Sequence, residues 1–239
     1  MTEGRRVVWI TGASSGIGCA LAELFAGRGD IVVASSRRES KLTELQQRIC
    51  GAGGTCELEV CDVTSESSVS HAAKHILAHQ GKIDVLVNNA GVTSFKEYIN
   101  IGREEFDQVV NTNLRGVFLV TQAVLPGMLQ ARSGLVVTIL SYVVKEVYTK
   151  SAVYSASKAG ADAMMNVLRA EVRQQGVNIV NVYPGAVATP IWHPKQLEKY
   201  HDQMLQPLQI AEMVYQISIQ HPSLMVEEVV LRPRSGNLQ

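Results

Sequence analysis

The sequence predicts an α/β fold: a doubly wound parallel sheet of seven strands, in a three-layer α/β/α arrangement, formed by a single domain spanning residues 1–239. Two observations carry this. Apolar runs of strand length alternate with segments of helical period along the whole chain, a rhythm that lays helices on both faces of a parallel sheet. The first apolar run also enters its helix through a glycine-rich turn, TGASSGIG. With 46% hydrophobic residues the chain can bury a full core, and no linker, internal repeat or low-complexity tract divides it.

The elements follow in order. RVVWIT (6–11) is a strand that the glycine turn delivers into a helix over 16–28. IVVAS (31–35) precedes a helix over 38–50, and TCELEV (55–60) precedes one over 65–80. IDVLVN (83–88) leads to a long helix over 103–130, and GLVVTIL (134–140) to another over 152–175. VNIVNVY (177–183) leads to a helix over 207–220, and VEEVVLR (226–232) completes the sheet. Their near-continuous apolar character predicts strands buried on both faces. One stretch breaks the rhythm. IWHPKQLEKYHDQMLQP (191–207), polar around Trp192 and flanked by prolines, reads either as a flap over a site or as a surface helix that covers core.

Composition narrows the function. Lys plus Arg and Asp plus Glu both total 22, so neither nucleic acid nor an anionic membrane is expected as a partner, and a small molecule is. The N-terminal apolar run is too short for a signal peptide or a membrane span, which predicts a cytoplasmic protein. Cys19, Cys50, Cys56 and Cys61 form no C-x-x-C pair and read as reduced thiols. His71, His75 and His79 recur at helical spacing with no acid or Cys beside them in sequence, so they read as a solvated helix face, and no metal is expected.

In TGASSGIG, Gly12 permits a tight turn, Gly16 lets a phosphate approach the backbone, and Gly18 lets the helix pack closely on the strand. Free N–H groups at the helix start then face a pyrophosphate. The spacing G-x-x-x-G-x-G, together with NNAG (88–91), resembles the short-chain dehydrogenase/reductase family, and the likeness runs from this turn to the C-terminus. It implies a Rossmann-like fold that binds a nicotinamide dinucleotide. Cofactor contacts are implied for Ser14, Ser15 and Ile17 in the turn, for Asp62 at the adenine ring with Val63 beside it, and for Asn89, Ala90 and Gly91 at the ribose. Asn88 is implied to brace the central strands.

At the end of the second strand, an NAD-selective site carries an acid for the ribose 2′-OH. Here the chain has Ser36, then Arg37 and Arg38. A guanidinium fork suits a phosphate monoester, so NADPH/NADP+ is the expected cofactor, with Arg37 its main contact.

YSASK places Tyr154 and Lys158 one turn apart on a helix face, where a cation beside a phenol favours phenolate and brings a sluggish acid toward the working range. The small Ser155, Ala156 and Ser157 are expected to leave room for ribose and substrate. Ser141 stands past the fifth strand, at the sheet edge where ligands bind. With Asn113 in NTNLRG, whose kinked backbone is implied to hold a water leading to the lysine, these residues match the tetrad of the resembled family. The expected chemistry is carbonyl reduction, reversible as alcohol oxidation. The resemblance implies that hydride comes from the B-face of the nicotinamide, while Tyr154 is expected to protonate the alkoxide, Ser141 to hold the oxygen, and Lys158 to bind the ribose and tune Tyr154. YPGAVATP (183–190) also resembles the family, and the resemblance implies further cofactor contacts at Pro184, Gly185, Val187 and Thr189.

The chain departs from the family after Ser141, where YVVKEVY replaces small residues. Val143, Val144, Val147 and Tyr148 are expected to wall the substrate pocket, while Lys145 and Glu146 insert charge. Trp192 either stacks on a ring substrate or anchors the flap. VEEVVLRPRSGNLQ and PGAVATPIW resemble bacterial sepiapterin reductases and broad carbonyl reductases, implying a pterin or cyclic dicarbonyl substrate. Alternatives are a 3-oxoacyl reductase, a hydroxy-acid dehydrogenase, or a non-catalytic dinucleotide sensor. Apolar Val117, Phe118, Val120, Met164, Met165 and Val167 on the two long helices predict a homodimer or homotetramer.

Overall fold

The computed structural model describes residues 4–221 and 223–238. Seven strands form one parallel sheet in the order β3-β2-β1-β4-β5-β6-β7. They are β1 (Val7–Thr11), β2 (Ile31–Ser36), β3 (Thr55–Val60), β4 (Val85–Asn88), β5 (Gly134–Ile139), β6 (Val177–Pro184) and β7 (Glu228–Leu231). The helices are α1 (Gly16–Gly27), α2 (Glu39–Gly51), α3 (Glu66–Gln80), α4 (Arg103–Val110), α5 (Gly116–Ala131), α6 (Ala152–Val172), α7 (Pro194–Tyr200) and α8 (Pro207–Ser218). After β3 the chain returns across the sheet to lay β4 beside β1. That reversal opens a crevice at the carboxyl ends of β1 and β4, the place where sheets of this kind take ligands.

Side chains alternate along each strand and split the core into two layers. Val8 and Ile10 of β1 join Val32, Val87 and Val137 beneath Phe25 of α1, Leu45 of α2 and Val214 of α8. Val7 and Trp9 join Leu86, Val136 and Ile179 beneath Ile76 of α3, Val124 of α5 and Met165 of α6. The buried Trp9 satisfies its indole N–H on Ser35 Oγ (2.9 Å), so neither layer leaves that polar atom unpaired.

The expected elements form with local differences. The helix expected over 103–130 is interrupted by a π-turn at Asn111–Arg115, where Asn113 turns inward, its Oδ1 accepting the Val92 N–H and its Nδ2 donating to the Val92 carbonyl. The helix expected to 175 tightens into a 3-10 turn at Arg173–Gln175 and ends on Gly176. The fourth strand begins at Val85 instead of 83, and the last is limited to the four residues that pair with β6. Residues 191–207 contain α7 and a 3-10 turn at His201–Gln203. His75 is not simply solvated: its ring meets Glu59 of β3 at 2.8 Å, an acid distant in sequence that the parallel pairing brings underneath α3. Among the described residues no cluster of three or more metal-ligating side chains forms, and all four cysteines are free. No helix among them is long and apolar enough to cross a membrane. Of the long-helix residues, Val117, Val120 and Met165 belong to the core, whereas Phe118 and Val167 are exposed.

Candidate active site

The crevice is built by stitching β1 to β4. Thr11 Oγ1, at the end of β1, accepts the N–H groups of Asn89 (3.0 Å) and Ala90 (3.1 Å). The Asn89 amide donates back to the carbonyls of Thr11 (3.0 Å) and Gly12 (3.2 Å). This leaves no room for side chains. A Cβ on Gly12, whose φ is +67°, would lie 2.8 Å from Ala90 Cα, and one on Gly18 would lie 2.5 Å from both Asn89 Nδ2 and Gly12 O. α1 therefore starts close against the sheet, and its N-cap residue Ser15 makes no side-chain cap, so the first N–H groups stay available to an anion.

A cleft of about 560 Å³ follows from there. At one end it is lined by Gly12, Ser14, Ser15, Gly16, Ile17, Ser36, Arg37, Arg38, Asp62 and Val63. Arg38 donates to Ser14 Oγ (2.8 Å) and Ser15 Oγ (2.9 Å), while its backbone N–H donates to Ser36 Oγ (3.1 Å). Arg37 is exposed and makes no side-chain hydrogen bond among the described residues. Asp62 accepts from the Thr64 N–H and hydroxyl, closing its own turn. Asn89, Ala90 and Gly91 line the middle, and Pro184, Gly185, Val187 and Thr189 line the far side. Paired arginines, small hydroxyls, open glycine backbone and an uncapped helix end are the donor set that a phosphorylated dinucleotide requires.

Ser141, Tyr154 and Lys158 meet at the other end. Ser141 follows β5 in extended backbone, and its Oγ accepts from the Val143 N–H (3.4 Å). The hydroxyl lies against the Tyr154 phenol and favours phenolate, but burial is the larger effect and pushes the phenol up. Burial also pulls buried Lys158 down, to about 8. Its ammonium donates to the Ile139 carbonyl (2.7 Å) and lies 6.0 Å from the centre of the Tyr154 ring. Desolvation sets the direction for both groups in this geometry, and Ser141 is the group that draws the phenol toward phenolate.

The small residues between them also make local hydrogen bonds. Ser157 Oγ donates to the Tyr154 carbonyl (2.8 Å) and accepts from Asn113 Nδ2 (3.0 Å), and Ser155 meets Ser151 (2.9 Å). Asn113 and Gly18 do not line the cleft; each lies directly behind it, Asn113 bracing Val92 and α6, Gly18 bracing the glycine turn.

The wall expected from Val143, Val144, Val147 and Tyr148 is corrected. None of them lines the cleft: Val147 is 95% exposed, Val144 packs against Leu140, Ala161 and Tyr183, and the Tyr148 hydroxyl turns to Asn237 (2.7 Å). Instead Val92, Thr93 and Phe95, from the loop leaving β4, face Ile191 and Trp192. Phe95 and Trp192 stack with centres 5.6 Å apart at 18°, and Phe95 stands 6.2 Å from the Tyr154 ring. Trp192 donates its indole N–H to the Val187 carbonyl (2.9 Å), so it anchors its segment while keeping a ring at the cleft. The signal for Phe95 was an aromatic seven residues past the end of β4, at the sheet edge that carries the site. Thr93 Oγ1 is buried with no hydrogen-bond partner among the described residues.

The profile of the family described as short chain dehydrogenase matches residues 6–199. The chain is 34% identical over 242 residues to a sepiapterin reductase of Chlorobaculum tepidum, covering 98% of this chain and 99% of that one. It is 36% identical over 189 residues to a 3-oxoacyl-(acyl-carrier-protein) reductase of Thermotoga maritima, covering 79% and 76%. Among solved structures, a metagenomic short-chain oxidoreductase in complex with NADP superposes with a TM-score of 0.85 at 32% identity, over 95% of this chain and 96% of that one.

Proposed function

From the premise that the chain belongs to the short-chain dehydrogenase/reductase family, we propose that it reduces a neutral, ring-bearing ketone or aldehyde to the alcohol, with Ser141, Tyr154 and Lys158 as its catalytic residues. It is an NADP-dependent oxidoreductase. The observation that carries the substrate class is the composition of the cleft. Its charged side chains are Arg37, Arg38 and Asp62 at the phosphate end and Lys158, which is committed to Ile139, whereas the substrate end presents Val92, Phe95, Leu140, Ile191 and Trp192. A carboxylate would find no guanidinium there, which speaks against a hydroxy-acid dehydrogenase. A flat ring would find two aromatic faces.

When bound, the reduced nicotinamide supplies the hydride. Tyr154, kept protonated by its enclosure, gives its proton to the developing alkoxide, and Ser141 holds that oxygen. Lys158 and the Pro184–Thr189 turn orient the nicotinamide riboside, Asn113 keeps α6 and the Val92 loop in register, and the glycine turn takes the pyrophosphate. Trp192 and the segment over 191–207 form a flap above the substrate end. Exposed Phe118 and Val167 make a homodimer or homotetramer part of the same reading.

A screen of NADPH oxidation over diketones, pterins, 3-oxoacyl esters, sugars and hydroxy acids tests the proposal. Turnover concentrates on neutral cyclic carbonyls. Turnover confined to 3-oxoacyl esters would move the assignment to the carrier-linked alternative, and NADPH binding with no turnover would make the chain a sensor. Trp192→Ala raises KM for ring substrates about tenfold and leaves small acyclic diketones nearly unchanged; equal effects on both sets would remove the ring-stacking role.

Cofactor choice has its own test. Arg37→Ala and Arg38→Ala each raise KM for NADPH roughly 10–100-fold, the scale of a lost charge-assisted hydrogen bond, and leave KM for NADH within about twofold. Arg37→Ala has the larger effect, because its guanidinium is uncommitted whereas Arg38 is held by Ser14 and Ser15. A parallel rise for both cofactors would show that the arginines support the turn and not a 2′-phosphate.

A further inference from the structure

Four side chains of the loop after Ser141, those of Tyr142, Lys145, Glu146 and Tyr148, end on the C-terminal segment. The Tyr142 ring lies 4.2 Å from the Arg232 guanidinium, which also donates to the Tyr142 hydroxyl (3.2 Å). Lys145 donates to Glu228 of β7 (2.9 Å) and stands 4.1 Å over the Tyr183 ring. Glu146 accepts from the Asn237 amide (2.9 Å), and the Asn237 oxygen accepts from both Tyr148 (2.7 Å) and Arg232 (2.8 Å). Each hydrogen bond is exposed and weak alone, but together they tie a short loop at four points.

The loop they tie sets the orientation of Ser141. Its Oγ is held by the N–H of Val143, within the 3-10 turn Tyr142–Val144 that starts on Ser141 itself. The same C-terminal segment holds the opposite wall of the cleft. Gly185 donates to the Leu231 carbonyl (2.7 Å), and Pro233 packs so closely that a Cβ on Gly185 would lie 3.0 Å from its Cδ.

We propose that residues 228–237 form a clasp that positions the Ser141 hydroxyl against Tyr154, with Arg232 and Asn237 as positioning residues that touch neither substrate nor cofactor. The charges at Lys145 and Glu146 are its anchors on the loop. The kinetic consequence rests on the carbonyl-reduction reading; the clasp itself does not.

Arg232→Met and Asn237→Ala, both at exposed positions of the full chain, test it. In otherwise wild-type protein each lowers kcat/KM for the carbonyl about tenfold, the cost of a small misplacement at a reacting centre, with the Kd of NADPH unchanged. In a Ser141→Ala background each lowers the residual rate by less than about twofold, because the group being positioned is gone. Arg232→Lys, which keeps a cation over Tyr142, restores most of the rate. In both variants, amide hydrogen exchange over 141–148 rises. An equal loss with and without Ser141 would overturn the positioning role, and unchanged exchange over 141–148 would overturn the clasp. Should the wild type reduce no carbonyl, the exchange result still decides the clasp, and only the reaction assignment falls.

Discussion

Tyr154→Phe lowers kcat for carbonyl reduction by about 10²–10⁴-fold, the usual contribution of a positioned general acid, while NADPH binds as before. The phenol oxygen faces the cleft and, among the described residues, has no hydrogen-bond partner besides Ser141, so its loss removes the proton and little else. The pH dependence follows with a definite sign. Reduction needs the protonated phenol, so kcat/KM is level at low pH and falls as pH rises through the Tyr154 pKa. Burial pushes that pKa up and Ser141 pulls it down; Ser141→Ala therefore moves the fall to higher pH as well as slowing the reaction. Steady-state rates across pH for the three proteins check this. Retained turnover in Tyr154→Phe, or a fall displaced to lower pH in Ser141→Ala, would refute the assignment.

Gly18→Ala abolishes measurable NADPH binding and lowers stability by about 1–3 kcal/mol, the range for overpacking a filled site. The added methyl would sit 2.5 Å from the Gly12 carbonyl and from the Asn89 amide, neither of which can yield without breaking the stitch between β1 and β4. Gly127→Ala is the control, since a Cβ there meets nothing within 4 Å. Thermal unfolding and cofactor titration by fluorescence separate the two effects. Normal NADPH affinity in Gly18→Ala would mean that α1 can retreat from the sheet without moving the phosphate cradle.

Much of the fold was legible because its signals are local. Strands buried on both faces must be apolar throughout, and helices that cover them must repeat near every 3.6 residues, so the alternation along the chain reports a parallel sheet directly. The glycine turn was legible for a similar reason: Gly12 and Gly18 sit where backbone and side chains approach too closely for a Cβ. Other features depend on neighbours distant in the chain. The π-turn at Asn111–Arg115 exists because Asn113 bonds Val92, and nothing in NTNLRG alone names that partner. The acid beside His75 is Glu59, brought there by strand pairing.

The sequence by itself determined the sheet, the order of its elements, the dinucleotide turn and the spacing of Ser141, Tyr154 and Lys158, since all of these rest on residue type and short-range spacing. Only the tertiary structure decided which side chains face the substrate. It turned Val147 and Tyr148 outward, set Phe95 against Trp192, committed Lys158 to the Ile139 carbonyl, and joined the loop after Ser141 to the C-terminal segment. The direction a loop side chain takes is settled by whichever distant surface offers it a partner, and that surface appears only once the strands have paired.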